Sequence, residues 1–69
     1  MNKTIGKSIK EKRIEQGLSQ QTLANLIGVT HASISYWENA RQEPSASAIV
    51  KLAQFFDVTA DYLLGIIDE

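Results

Sequence analysis

At 69 residues the chain has room for one domain and one small core, and a core of that size contributes only about 3 to 5 kcal/mol without staples or a partner. It has no cysteine and a single histidine, which excludes disulfides, thiolate metal sites and a zinc centre, and no apolar run approaches the ~20 residues of a membrane span. The net charge of −1 argues on its face against a nucleic-acid partner, but the distribution is uneven. Lys3, Lys7, Lys10, Lys12 and Arg13 crowd the first segment while Asp57, Asp61, Asp68 and Glu69 collect at the far end, so the chain is a dipole. The start MNKTIGKSIK lacks the apolar stretch of a signal peptide, and the expected setting is the cytoplasm.

In the first segment Ile5, Ile9 and Arg13 recur every four residues, which predicts a helix over about 5–16 that ends at Gly17. One short pattern then recurs: Leu18-Ser19 is followed by Leu23, Val29-Thr30 by Ile34, Pro44-Ser45 by Ile49 and Val58-Thr59 by Leu63. In each, a hydroxyl accepts an orphan N–H at a helix start while the apolar pair fixes the angle of approach of the chain. Four more helices are thereby predicted, over 20–27, 31–38, 46–56 and 60–64. Leu23, Leu26 and Ile27 give the second an inward stripe, and Ile49, Leu52, Ala53 and Phe56 do so for the fourth. Asp61 suits the positive end of the fifth helix, with Asp57 in the turn before it. Nothing reads as a strand, so the expected fold is all-α, one domain over 1–69. Between the second and third helices Ala24 is small, Gly28 suits a left-handed turn and Val29 suits burial, so the two helices must cross steeply, as in a helix-turn-helix unit over about 20–38.

From Leu18 to Gly65 the chain resembles the phage repressor/Cro helix-turn-helix family, also called XRE-like, and the likeness reaches back through Arg13. It is carried by GLSQQTLANLIGVTHASISYWENARQEPS, with Gln20 opening the second helix and Ala24, Gly28, Val29, Ile34 and Glu38 at the family's positions, and then by IVKLAQFFDVTADYLLG. The resemblance implies a compact five-helix, lambda-repressor-like DNA-binding domain and a transcriptional regulator, foremost a repressor, acting on double-stranded DNA. It also implies a phosphate contact by Gln20, a place for Ser33 beside the base-reading residues, and pairing of Arg13 with Glu38. Where many members carry glycine after the Glu-Asn pair, this chain has Ala40.

The third helix has a face in search of a partner. At about 100° per residue His31, Ala32, Ser35 and Tyr36 fall within an arc of ~140°, opposite Ile34, Trp37 and the Thr30 cap. A plain solvated side would use the same residue types. Within this motif the face reads instead as a base-contacting surface, because a helix enters the ~12 Å major groove by its N-terminal residues and with side chains of moderate bulk. His31 can donate or accept, Ala32 offers a methyl to thymine, and Ser35 and Tyr36 carry hydroxyls, with Ser33 at the border. Phosphate contacts are expected from Gln20, from Thr30 and from Asn39, Arg41 and Gln42 in the next loop, where Glu43 would be repelled unless it turns away. Lys7, Lys10 and Lys12 read equally as phosphate contacts or as a solvated basic face. Arg13 shares the stripe of Ile5 and Ile9 and Glu38 lies at the edge of the third helix's inward face, so a pair between them would fix one helix against the other.

An enzyme is not expected: His31 at an open helix start has no pocket to tune its chemistry, and no cofactor or small-molecule ligand is suggested. Two other readings stand beside the regulator, namely a protein-interaction module of antitoxin or adaptor type on the same fold, and the N-terminal DNA-binding part of a longer repressor. Leu63, Leu64, Ile66 and Ile67 in DYLLGIIDE exceed what a five-residue helix needs in order to dock. They predict either a fold-back onto the core or a two-fold contact with a second copy, in which case a homodimer reads a pseudo-palindrome with half-sites ~10 bp apart.

Overall fold

The computed structural model describes residues 4–66, so Lys3, Ile67, Asp68 and Glu69 lie outside the described residues. Five helices follow in order: α1 (Ile5–Glu15), α2 (Gln20–Ile27), α3 (His31–Glu38), α4 (Ala46–Phe56) and α5 (Ala60–Leu63), with no strand among the described residues. None of these helices is long and apolar enough to cross a membrane.

Every helix opens on a hydroxyl. Thr4, Ser19, Thr30, Ser45 and Thr59 lie in extended backbone and accept from the N–H groups of Lys7, Thr22, Ser33, Ala48 and Tyr62 respectively. Such a cap contributes about 1 kcal/mol, which matters for helices too short to persist alone. Every helix also closes in one way. A residue one or two positions past its end turns left-handed, at Gly17 (φ 69°), Gly28 (79°), Ala40 (59°), Asp57 (57°) and Gly65 (80°). The next N–H then reaches back to a carbonyl five residues earlier, as Leu18 does to Arg13, Val29 to Ala24 and Arg41 to Tyr36. Gly28 makes the α2–α3 turn without strain, whereas Ala40 and Asp57 carry a Cβ into a conformation that disfavours it.

The core draws on all five helices: Ile9, then Leu23, Ala24 and Ile27, then Ile34 and Trp37, then Ala48, Leu52 and Phe56, and last Tyr62 and Leu63. Leu26, expected inward, is 56% exposed. The buried residues of α2 set the centre of its inward stripe near Ile27, and Leu26 falls about 110° from that centre at helical spacing. Ile49 packs only partly and its neighbour Val50 faces out.

Two contacts set the position of α3 against α1. Gly6 is buried where a Cβ would overlap the backbone carbonyl of Trp37, so the start of α1 can approach the end of α3 only with hydrogen at that position. About two turns further along α1, Arg13 donates through Nε and Nη2 to the two carboxylate oxygens of Glu38 at 2.7 and 3.0 Å, and through Nη1 to the Leu18 carbonyl at 2.7 Å. The side chains are 12% and 3% exposed. The hydrogen bond to Glu38 pushes the Arg13 pKa up, against the opposing effect of burial. A raised value means that the arginine's half of the link is fully present below its ordinary pKa and is lost only in strong alkali.

Arg13→Ala and Glu38→Ala are each expected to lower stability by about 3 kcal/mol, because each leaves the other charge in a desolvated position. Chemical denaturation reads this directly, and unchanged midpoints in both variants would show that the pair contributes nothing. Gly6→Ala should also destabilise, by about 1 to 3 kcal/mol, although alanine is the better helix former. Ala40→Gly should do the reverse: relief of left-handed strain exceeds the added freedom of the unfolded chain, for a net gain of about 0.5 to 1 kcal/mol. Melting temperatures of the two variants must move in opposite directions.

Candidate nucleic-acid interface

The α2–α3 turn brings two short helices together with Ala24 fully buried at their junction. Ile34 and Trp37 then root α3 in the core. On the other side His31, Ala32 and Tyr36 are exposed, and Ser33 and Ser35 are half-buried at its margins. The five residues therefore share the accessible part of α3 and its border.

Gln20 connects this face to the scaffold. Its amide nitrogen donates to Glu38 Oε1 at 3.1 Å, and its carbonyl oxygen lies 2.9 Å from His31 Nε2. Arg13, Glu38, Gln20 and His31 thus form one continuous chain of contacts, of which sequence reasoning found only the first link. Gln20 keeps one amide hydrogen for an outside acceptor. The Thr30 hydroxyl accepts from the Ser33 N–H at 3.1 Å and donates to the Ser33 hydroxyl at 3.0 Å, closing the cap of α3.

The loop after α3 folds back onto the helix end, with the Arg41 and Gln42 N–H groups both directed at the Tyr36 carbonyl, at 2.8 and 3.4 Å. The exposed Asn39 turns its amide back along the helix, donating to the Ser35 carbonyl at 2.9 Å. Arg41, Gln42 and Glu43 have exposed side chains, so Glu43 stands beside the basic residue in the open. Among the described residues Arg41 has no ion-pair partner.

The basic residues of α1 divide. Lys7 and Lys10 are exposed and line a shallow groove with Glu11, Ile14 and Glu38. Lys12 instead pairs with Glu15 at 3.3 Å and stands 5.1 Å from the ring centre of Tyr62, a cation–π contact that ties α1 to α5. At the far end Leu63, expected at a surface between copies, is 0% exposed and belongs to the monomer core, since the single turn of α5 has little else with which to dock. The apolar surplus there is Leu64, at 42%, and Ile66, at 61%, while Ile67 lies outside the described residues.

Comparison with known proteins gives a consistent result. A family model described as helix-turn-helix matches residues 9–63. The HTH-type transcriptional regulator ImmR of Bacillus subtilis is 31% identical over 62 residues, covering 90% of this chain and 49% of its own. An uncharacterized HTH-type transcriptional regulator of Rickettsia conorii is 37% identical over 65 residues, covering 94% of this chain and 52% of its own. The chain spans about half the length of these curated relatives. Among solved structures, the P22 c2 repressor in complex with a synthetic operator superposes with a TM-score of 0.85 at 29% identity, over 90% of this chain and 94% of that one. The biofilm regulator SinR in complex with DNA superposes at 0.81 with 35% identity, over 88% and 98%. With its five helices, its Gly28 turn and its anchored α3, the chain belongs to the helix-turn-helix family of the phage repressor and Cro type.

Proposed function

We propose that the chain is a sequence-specific DNA-binding domain of a transcriptional regulator, a repressor in the first instance, which reads the major groove with α3. The observation that carries this reading is the division of α3: Ile34 and Trp37 are sunk in the core while His31, Ala32 and Tyr36 are exposed on the opposite side. Two structural neighbours of the same fold, the P22 c2 repressor and SinR, are bound to DNA. In this reading His31, Ala32, Ser33, Ser35 and Tyr36 meet base edges, Arg41, Gln42 and the spare amide hydrogen of Gln20 meet phosphate, and Thr30 serves by capping α3. Asn39 acts by closing the end of α3, where its amide is engaged. His31 lies against the amide of Gln20, which is no partner for acid–base work, and the reading assigns no catalysis. The protein would act in the cytoplasm of a bacterium, on the chromosome or on phage DNA.

Arg41→Ala should weaken binding to all duplexes alike and lower the salt dependence of the affinity by about one unit, because one fewer counterion is released. Ser35→Ala and Tyr36→Ala should instead change which base pairs are preferred, each lost base contact removing roughly 1 to 3 kcal/mol of discrimination. Mobility-shift competition between selected and scrambled duplexes at two salt concentrations separates the two behaviours. If the α3 variants lost both kinds of binding in equal proportion, α3 would not be the reader. If the wild type shifted no duplex at low salt, the interaction-module reading would take its place.

Leu64 and Ile66 support a homodimer on DNA, with recognition helices about 34 Å apart. Leu64→Asp and Ile66→Asp should then weaken binding to a two-half-site duplex while leaving the weaker binding to one half-site unchanged. One protomer on an asymmetric site, with both variants binding as well as the wild type, would exclude the dimer.

A further inference from the structure

The contacts between Glu38, Gln20 and His31 can be assigned donors and acceptors in only one direction. The carboxylate of Glu38 already accepts from Arg13 at both oxygens, so the end of the Gln20 amide that faces it, 3.1 Å away, is the NH2 group. The carbonyl of Gln20 is therefore turned to His31, 2.9 Å from Nε2. A carbonyl oxygen only accepts, so Nε2 carries the hydrogen, and in the neutral imidazole the other ring nitrogen is then bare. His31 is the first residue of α3 and is exposed. We propose that Gln20 is a positioning residue that holds His31 as the Nε2–H tautomer, and that His31 thereby selects, through the lone pair of Nδ1, an amino base over a keto base at its position in the major groove.

The chemistry of the groove gives the preference its sense. Adenine N6 and cytosine N4 offer hydrogen to a bare nitrogen, whereas guanine O6 and N7 and thymine O4 oppose it with lone pairs of their own. A histidine free to exchange tautomers could satisfy either class, so the discrimination depends on the amide behind the ring. That amide is in turn oriented by Glu38, which Arg13 holds. The inference rests on the DNA-binding reading given above, but the ring's protonation pattern can be measured without DNA.

Two measurements test it on the full chain. In 15N-labelled protein, over the pH range where the ring is neutral, His31 should show a protonated Nε2 and a bare Nδ1. Selection from a random duplex pool should then give adenine or cytosine over guanine or thymine by about tenfold at the position whose preference disappears in His31→Ala, the worth of one hydrogen bond. Gln20→Leu should reduce that ratio severalfold without changing preferences elsewhere in the site. A bare Nε2 in the wild type would overturn the proposal, as would a keto base at the His31 position or an undiminished ratio in Gln20→Leu. Failure of the wild type to select any duplex would overturn the DNA-binding reading itself, and the base preference with it.

Discussion

The arrangement of this small domain depends on one carboxylate. Glu38 closes α3, and its two oxygens collect the guanidinium of Arg13 from α1 and the amide of Gln20 from α2. Arg13 also holds the carbonyl of Leu18, so the α1–α2 connection is bound to the same point. Three helices and one turn are thus referred to a single side chain that is almost wholly withdrawn from water. An apolar substitute of equal volume could fill the space as well or better, since burying a pair of ions gains little net energy. It could not impose direction. A bidentate arginine–carboxylate contact has one geometry, whereas apolar packing tolerates sliding, so the pair holds α3 at a fixed angle to α1.

Close packing at the other end of α1 completes the constraint. Gly6 lets the helix rest on the Trp37 carbonyl, one residue from Glu38 in sequence, so α1 touches the end of α3 by shape at one place and by charge at another. Two such contacts along one axis suppress rocking as well as translation. A core drawn from helices of eleven residues at most has few other means of doing so.

What the sequence revealed follows from how local each signal is. Ser19, Thr30, Ser45 and Thr59 are residue types that announce a helix start, and each lies within four positions of its apolar partner, so four starts could be read by eye. Gly17 and Gly28 announce the ends of α1 and α2 for the same reason. Ala40 and Asp57 take the same left-handed conformation with side chains that do not advertise it, and only the backbone discloses that all five helices close alike. Leu26 stands outside the inward stripe because the width of such a stripe is decided by the neighbours that cover it. Leu63 lies in the core, and an apolar run at a terminus does not say which of its members the monomer itself consumes. The Gln20–His31 contact joins residues eleven apart across a turn whose crossing angle no composition encodes, and Lys12 gave no hint of the Tyr62 ring beneath it.

The choice of caps has an electrostatic consequence. A helix start can be satisfied by a carboxylate or by a hydroxyl, and the two differ in what they leave behind. A carboxylate cancels the partial positive charge, about half a unit, that the aligned peptide dipoles gather at the N-terminus, whereas a hydroxyl meets the same N–H and leaves the field standing. Here every cap is a hydroxyl, and the first turns of α1, α2, α3 and α4 contain no acidic residue; only α5 has one, Asp61. The chain keeps more acid than base in total and yet places none of that acid where α2 and α3 begin. The sign of its net charge is therefore a poor guide to the local potential where α2 and α3 begin, since two macrodipoles are left uncancelled there.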